Sequence, residues 1–320
     1  MKIGLIEVSH WHSGMYINAL LDLGENIVAI SDRNEIIAKK IAKELKCRYY
    51  TDYRKMLERE SLDFVFSFGR HVDMPSIIGT LIDYGVPFNT EKPCGIDYKV
   101  VERLAEKAHE KALFTSVSFV KRVSVKVGEI LEFLSKMGDI KYMYFKYITG
   151  PPSRYVEWKC PWMLEKRYAG GGSLINLGVH YIDLVHYLTG ESAEVEYSLI
   201  LNEIYELSIE EYALVVLKTA KTHSIVEVAY TPCHKPEEYF SITGTSGRVI
   251  LLGKELIKCL GKKREVVDIR EDEYFKFVEK TIGRFRRGDK PIATLKDAAR
   301  VLKVVNDAYS KSKAKLSTSV

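Results

Sequence analysis

The 320-residue sequence predicts an α/β protein in two parts. The first is a doubly wound parallel sheet, the second an α/β domain with a large, mostly antiparallel, open sheet. Three observations carry the prediction. Over residues 1–118 short apolar runs alternate with helical patterns of about ten residues, the mark of βαβ units wound right-handedly. Over residues 119–320 long strand-like runs follow one another with turns between them, which implies antiparallel pairing open on one face. The length, finally, exceeds what one compact core usually holds.

The elements follow in order. Residues 2–8 read as a buried strand, and a helix starts near Ser13 or Gly14 and closes at Leu20 to Leu23. Ile27–Ile30 is a strand ending at Ser31-Asp32-Arg33, and Glu35–Leu45 a helix with Ile37, Ile41 and Leu45 four apart. Leu62–Phe68 is a strand, Met74–Tyr84 a helix stopped by Gly85, and Val86–Thr90 a strand. Helix Val100–Lys111 and strand Leu113–Ser118 complete the first sheet. Val125–Met137 then reads as a helix ended by Gly138, Ile140–Ile148 as an alternating strand, and Gly150–Trp162 as a loop. Further strands are expected at 193–201, 212–218, 224–230, 239–243 and 248–252. The last helix, Leu295–Lys311, has Thr294 at a capped start and is expected to pack back on the first domain.

Composition narrows the class. Hydrophobic residues make up 46% and charged residues 28%, as in an ordinary soluble globular protein. No apolar run of about eighteen residues occurs, so no membrane partner is expected. The chain starts directly with strand-like Lys2–Ile6, without the pattern of a signal peptide, which predicts a cytoplasmic protein. The net charge of +5 is modest and Lys and Glu are interspersed; no nucleic-acid surface is expected, while an anionic small molecule stays compatible. The five cysteines form no C-x-x-C pair and read as reduced thiols.

Two stretches carry polar residues where packing alone would not put them. In Gly170–Leu184 a glycine-rich turn runs into a helix on which Asn176, His180 and Asp183 recur at spacings of four and three, along one face. The other positions are apolar, so the polar stripe is buried and needs partners: it is a satisfied core histidine with its neighbours, or a site. The second stretch is the turn after the first strand, Glu7-Val8-Ser9-His10-Trp11-His12-Ser13-Gly14. In a doubly wound sheet ligands sit beyond the C-terminal strand ends at the switch point. A dinucleotide fingerprint would put three glycines there, and only Gly14 remains in register. The helix N-terminus could still offer N–H groups to a pyrophosphate, with Ser9 and Ser13 adding hydroxyls and Trp11 crowding the approach. Asp32, about twenty residues on, suits a ribose 2′-hydroxyl and favours NAD(H) over NADP(H); Arg33 beside it pulls the other way. The competing role for Asp32 is a turn or cap aspartate. His10 and His12 lack a third ligand at metal spacing, and no metal is expected.

Glu91-Lys92-Pro93 at a strand end, followed about eighty residues on by G-G-G-x-x-x-x-x-G-x-H-x-x-D (Gly170 to Asp183), resembles the Gfo/Idh/MocA family of NAD(P)-dependent sugar and polyol oxidoreductases. Asp32-Arg33, Tyr50-Thr51-Asp52-Tyr53, Glu210-Glu211-Tyr212, the Ile242–Gly247 turn and Gly288-Asp289-Lys290-Pro291 are similar to it too. The resemblance covers nearly the whole chain. It implies an N-terminal Rossmann domain, a C-terminal α/β domain whose open sheet makes a homodimer or homotetramer, and a sugar or polyol bound between them. It implies a cis bond before Pro93, cofactor contacts from Glu91 and Pro93, Lys92 on the reacting hydroxyl, and His180 as general acid/base. The chemistry is coherent. An imidazole takes the hydroxyl proton as hydride leaves carbon, and an ammonium stabilises the alkoxide.

Three departures qualify the resemblance. Asn176 stands where many relatives carry an aspartate; it can bond a substrate hydroxyl and orient His180 but carries no charge. The glycine turn is degraded. Asp73, after Gly69-Arg70-His71, replaces the usual histidine or asparagine. Lys121, Arg122, Lys166 and Arg167 flank the expected cleft and, with Asp183, are candidate substrate contacts: inward-facing cations would suit a carboxylate or phosphate, hence a uronate-like or nucleotide-linked sugar. The alternative is a non-catalytic dinucleotide or sugar sensor on the same fold.

Overall fold

The computed structural model describes residues 1–269 and 272–312. Residues 313–320, inside the predicted second domain, lie outside them. The first sheet holds β1 (Lys2–Ile6), β2 (Asn26–Ser31), β3 (Arg48–Tyr50), β4 (Phe64–Ser67), β5 (Phe88–Thr90) and β6 (Thr115–Val117), all parallel, in the order β3-β2-β1-β4-β5-β6. The order reverses between β1 and β4, the switch point of a Rossmann sheet. Helices α1 (Ser13–Asp22), α2 (Glu35–Leu45), α3 (Tyr53–Arg59), α4 (Met74–Tyr84) and α5 (Tyr98–Glu110) connect the strands. All four residues of β4 are buried, as a strand covered on both faces requires. Local chemistry sets the helix ends: Asn34, Asp52 and Asp97 accept from first-turn N–H groups, and Gly85 closes α4 in the left-handed conformation.

Beyond a 3₁₀ turn at Val120–Val123 lie α6 (Val125–Met137), β7 (Ile140–Thr149), α7 (Arg154–Glu157), α8 (Lys166–Ala169), a π-helical turn at Leu174–Gly178 and α9 (Val179–Thr189). The second sheet adds β8 (Glu194–Leu201), β9 (Tyr212–Lys218), β10 (His223–Tyr230), β11 (Glu237–Gly244), β12 (Gly247–Leu252), β13 (Glu255–Leu260) and β14 (Lys263–Asp268). Its order is β14-β13-β12-β11-β7-β10-β9-β8; β7 and β10 are parallel and the other pairs antiparallel. Phe145, on the inner face, packs on Tyr181 of α9, whereas Tyr142, Tyr197 and Ile225 stay exposed on the outer face.

Two helices close the chain. α10 (Glu273–Arg287) packs on α1, and α11 (Leu295–Lys311) lies against α5, α9 and β8. Asn306 of α11 donates to the Ile96 carbonyl and accepts from Tyr98 N–H. Thr294 and Asp297 form a reciprocal capping box at its start. The structure adds elements the sequence reading lacks. β3 and α3 are too short to show a period, and α7 gives the predicted 150–162 loop a helical turn. β14 is charged and largely exposed, β13 is a short strand interrupted by the buried Lys258, and the apolar face of α10 (Phe277, Val278, Ile282) is set among many charges.

Candidate active site

Lys92 sits just beyond β5, before a cis peptide bond to Pro93, and is buried. Its ammonium donates to the main-chain carbonyl of Asn176 at 2.9 Å and to Asn176 Oδ1 at 3.2 Å. The Asn176 amide nitrogen donates to the hydroxyls of Tyr155 (2.6 Å) and Tyr230 (2.8 Å). These bonds fix the amide's orientation, because an ammonium has only hydrogens to offer. Asn176 lies in the π-helical turn, where the backbone ladder is offset and its carbonyl takes a bond from outside the helix. Asn176 therefore positions Lys92; its side-chain bonds run to Lys92 and two tyrosines, and the expected bond to His180 is not among them.

Burial pushes the Lys92 ammonium down to about 8, with Glu91 opposing and Lys121 adding. Burial also holds His180 well below the ordinary imidazole range, with Lys92 and Lys121 adding, so its ring is neutral. His180 Nδ1 is buried and has no partner among the described residues. Glu91 is the local anion. Burial works against its charge, but His12 and Lys92 hold the carboxyl at about 2. Tyr16 donates to Glu91 Oε1 at 2.6 Å, and His12 Nδ1 lies 3.3 Å from Oε2 at ion-pair distance without hydrogen-bond alignment. Tyr274 of α10 reaches His12 Nε2 at 3.2 Å. Glu91 thus holds the first turn rather than facing the cleft.

The five candidate substrate contacts are paired within the fold or exposed. Arg122 pairs with Asp183 through two bonds of 2.8 and 2.6 Å, both side chains buried, and also donates to the Ile292 carbonyl. They form a strut between the 3₁₀ turn, α9 and the approach to α11, because two charges removed from water need each other. Lys121 is bound to Glu238 at 2.8 Å, and Glu238 also takes Lys126 and the Tyr181 hydroxyl. Arg167 is 71% exposed and pairs with Glu165; Lys166 is exposed too.

At the switch point a cavity of about 470 Å³ is lined by Glu7, Ser9, His10, Arg33, Arg70 and Trp162, among others. Asp32 does not open into it. The residue is fully buried, and its oxygens accept from Ser9 N–H (2.6 Å) and Asn34 N–H (2.8 Å), the turn role that competed with ribose binding. Arg33 bonds Glu7 at 2.7 Å and Asp73 at 2.8 Å, and Arg70 shares the same Asp73 oxygen. Glu7, just beyond β1, has φ +59°, so the backbone makes a glycine-like bend there without a glycine. Packing within the fold does not require a glycine at Gly14, since a Cβ there would meet no protein atom within 4 Å.

The expected anion cradle is internally filled. His12 N–H donates to His10 Nδ1 at 3.2 Å, Ser13 N–H to the His10 carbonyl, and the Ser13 hydroxyl to the Val8 carbonyl at 2.5 Å. The neutral His10 ring, driven down by burial, stacks on Trp11 at 3.8 Å between centroids. His71 is a site residue the sequence reading passed over in Gly69-Arg70-His71. Its Nδ1 donates to the Ala169 carbonyl at 2.7 Å, which leaves Nε2 as a buried acceptor without a partner among the described residues. Burial pushes its ring down to about 3, so it stays neutral. The switch-point cavity and the unpartnered ring nitrogens of His71 and His180 are the features that would hold a dinucleotide. Among the described residues no group of His, Cys, Asp and Glu is arranged to hold a metal, and no helix is long and apolar enough to cross a membrane.

A Rossmann sheet, a second open sheet and a lysine–asparagine–histidine cluster define a two-domain oxidoreductase class. A family model described as "Oxidoreductase family, NAD-binding Rossmann fold" matches residues 3–119, and one described as "GFO/IDH/MocA C-terminal domain" matches residues 135–250. The chain belongs to the Gfo/Idh/MocA family. The rhizopine catabolism protein MocA of Rhizobium meliloti is 24% identical over 125 residues, 38% of this chain and 35% of that one, so the match spans about a third of that relative's length. The dTDP-3,4-didehydro-2,6-dideoxy-alpha-D-glucose 3-reductase of Saccharopolyspora spinosa is 21% identical over 268 residues, 78% of this chain and 74% of that one. An oxidoreductase from Agrobacterium radiobacter, solved with NAD+, L-tartaric acid and magnesium, superposes with a TM-score of 0.88 at 18% identity, covering 98% of this chain and 96% of that one. At that identity the likeness is one of fold.

Proposed function

We propose that the protein transfers hydride between NAD(H) and a carbinol or ketone carbon of a sugar, polyol or sugar derivative, with Lys92 and His180 handling the proton and the charge on oxygen. The observation that carries this reading is the buried Lys92 ammonium held by Asn176 and by no carboxylate of that helix. A charge kept in a dry site acts strongly on an oxygen that becomes an alkoxide. His180, neutral and with Nδ1 unengaged, accepts the hydroxyl proton in oxidation and returns it in reduction. When bound, the nicotinamide supplies or accepts the hydride. His71 Nε2 and the cavity beside Ser9 and Arg33 would hold its two ends.

NAD(H) is favoured on charge. Arg33, which lines the cavity, already has two carboxylate partners, Glu7 and Asp73, and Arg70 shares Asp73. A 2′-phosphate would have to compete with those carboxylates for the guanidinium. The cations once offered to an anionic substrate are paired or exposed, so the reacting part of the substrate is read as uncharged. The Saccharopolyspora relative, named for a dTDP-linked sugar, supports a nucleotide-linked sugar. Homodimer or homotetramer formation through the outer sheet face is supported by exposed Tyr142, Tyr197, Ile225, Leu252 and Val266.

The His10 ring on the α1 N-terminus favours a second reading, a sensor that binds a dinucleotide or sugar without turnover. Titration with NADH and NADPH, exciting tryptophan and recording sensitised dinucleotide emission, separates the two when followed by a sugar screen. Saturable NADH binding with turnover supports the dehydrogenase; binding without turnover supports the sensor.

A further inference from the structure

The last two of the three glycines before the π-helical turn make room for an acidic residue of another loop and its tyrosine partner. A Cβ on Gly172 would lie 1.9 Å from the Glu210 carbonyl oxygen, and one on Gly171 would lie 1.9 Å from the Tyr309 hydroxyl. Gly170 has φ +80°, and a Cβ there would lie 2.5 Å from the Ile96 side chain. What the glycines admit is a cap. Glu210 is 1% exposed, just before β9. Its Oε2 accepts from Gly172 N–H at 2.7 Å, its Oε1 from Leu174 N–H at 2.9 Å, and its own carbonyl from Ser173 N–H at 3.1 Å. Three successive N–H groups at a helix start, which have no partner inside the helix, thus end on one residue. The Tyr309 hydroxyl, from the last full turn of α11, adds a fourth bond at 2.8 Å to Oε1.

We infer that Glu210, steadied by Tyr309, is a positioning residue for Lys92: it caps the turn that presents the Asn176 carbonyl and amide, and so fixes where the ammonium stands. The path is short. Leu174 begins the π-helical turn, and Asn176, two residues on, takes both Lys92 bonds. A carboxylate is the suitable group, because three donors converge on two acceptor-only oxygens. Glutamine has the same shape, but its NH2 would face a donor. Burial raises the Glu210 carboxyl, while the backbone N–H donors and Tyr309 pull it back down. The C-terminal helix thereby becomes part of the site without touching substrate. The consequence for turnover rests on the dehydrogenase reading; the effect on Lys92 does not.

The test uses the full chain carrying Glu210→Gln or Tyr309→Phe, with Leu302→Ala as a control elsewhere in α11. Thermal melts show that each variant folds, and Tyr309→Phe removes a single hydroxyl if the glutamine variant does not. The first readout is the rate at which acetic anhydride labels Lys92, resolved by mass spectrometry. Labelling is expected to rise at least tenfold in both clamp variants and to stay at the wild-type rate in Leu302→Ala. Amide exchange over residues 170–176 should accelerate in the same two variants. With a turned-over sugar, kcat should fall at least tenfold while the KM for NADH changes less than twofold, and the pH limb of kcat should move. Wild-type Lys92 labelling in both clamp variants, or an equal rise in Leu302→Ala, overturns the assignment. Absence of turnover in the wild type counts against the dehydrogenase reading, and the labelling then decides the clamp alone.

Discussion

Lys92 and Asn176 meet twice: the ammonium donates to the asparagine's main-chain carbonyl at 2.9 Å and to its side-chain oxygen at 3.2 Å. Both acceptors are neutral. The partner of the charge is a pair of dipoles, and burial pushes the ammonium down to about 8.

The pH dependence follows with a definite sign. Lys92 is charged below about 8 and loses its proton above it. Since the ammonium stabilises the developing alkoxide, kcat should fall as pH rises through that value. Asn176→Asp puts a carboxylate beside the ammonium, which favours the charged form by roughly 1–3 pH units. Its alkaline limb should move up accordingly, measured as kcat from pH 6 to 10. An unmoved limb would detach the titration from Lys92.

Arg122 and Asp183 predict a stability effect. Arg122→Met leaves the Asp183 carboxylate buried with its main partner gone, which costs about 3–5 kcal/mol. The double change Arg122→Met with Asp183→Leu should recover most of that loss, as read by urea unfolding. Equal destabilisation by the single and double variants would contradict the strut.

How much of this was legible in the sequence varies with the kind of signal. α2, α4, α6, β9 and α11 fall on their predicted limits because periodicity and capping residues such as Asn34, Gly85 and Thr294 are local. Lys92 and Asn176 were legible through their motifs. Their bond was not, since the helical spacing of Asn176, His180 and Asp183 hid a π turn. Nor does a sequence say which charges are already spent. Asp32, Arg122, Asp183 and Lys121 looked available and are each bonded within the fold. Glu210 and His71 stand out only when a distant loop brings Gly172 or Ala169 beside them.

His10 predicts a binding effect. Its ring accepts the His12 N–H at the α1 N-terminus. His10→Ala frees that donor for a pyrophosphate, and NADH should bind about five- to tenfold more tightly, one hydrogen bond of about 1 kcal/mol. Sensitised emission measures it. Weaker binding would mean that the ring itself holds the dinucleotide.

The outer sheet face predicts assembly. Ile225→Glu sets a charge among exposed apolar side chains. Sedimentation should show a smaller species than the wild type at the same concentration, with the melting temperature of the protomer fold retained. A wild type that is already monomeric would contradict the interface.

The central claim, a hydride-transferring enzyme whose oxygen-stabilising charge is Lys92, is tested most directly by following NADH absorbance across a panel of nucleotide-linked and free sugars with wild type and Lys92→Met. The account predicts turnover by the wild type and a loss of roughly 10²–10³-fold in kcat for the variant. Saturable NADH binding without turnover on any sugar, or a Lys92→Met enzyme that keeps the wild-type rate, would contradict it.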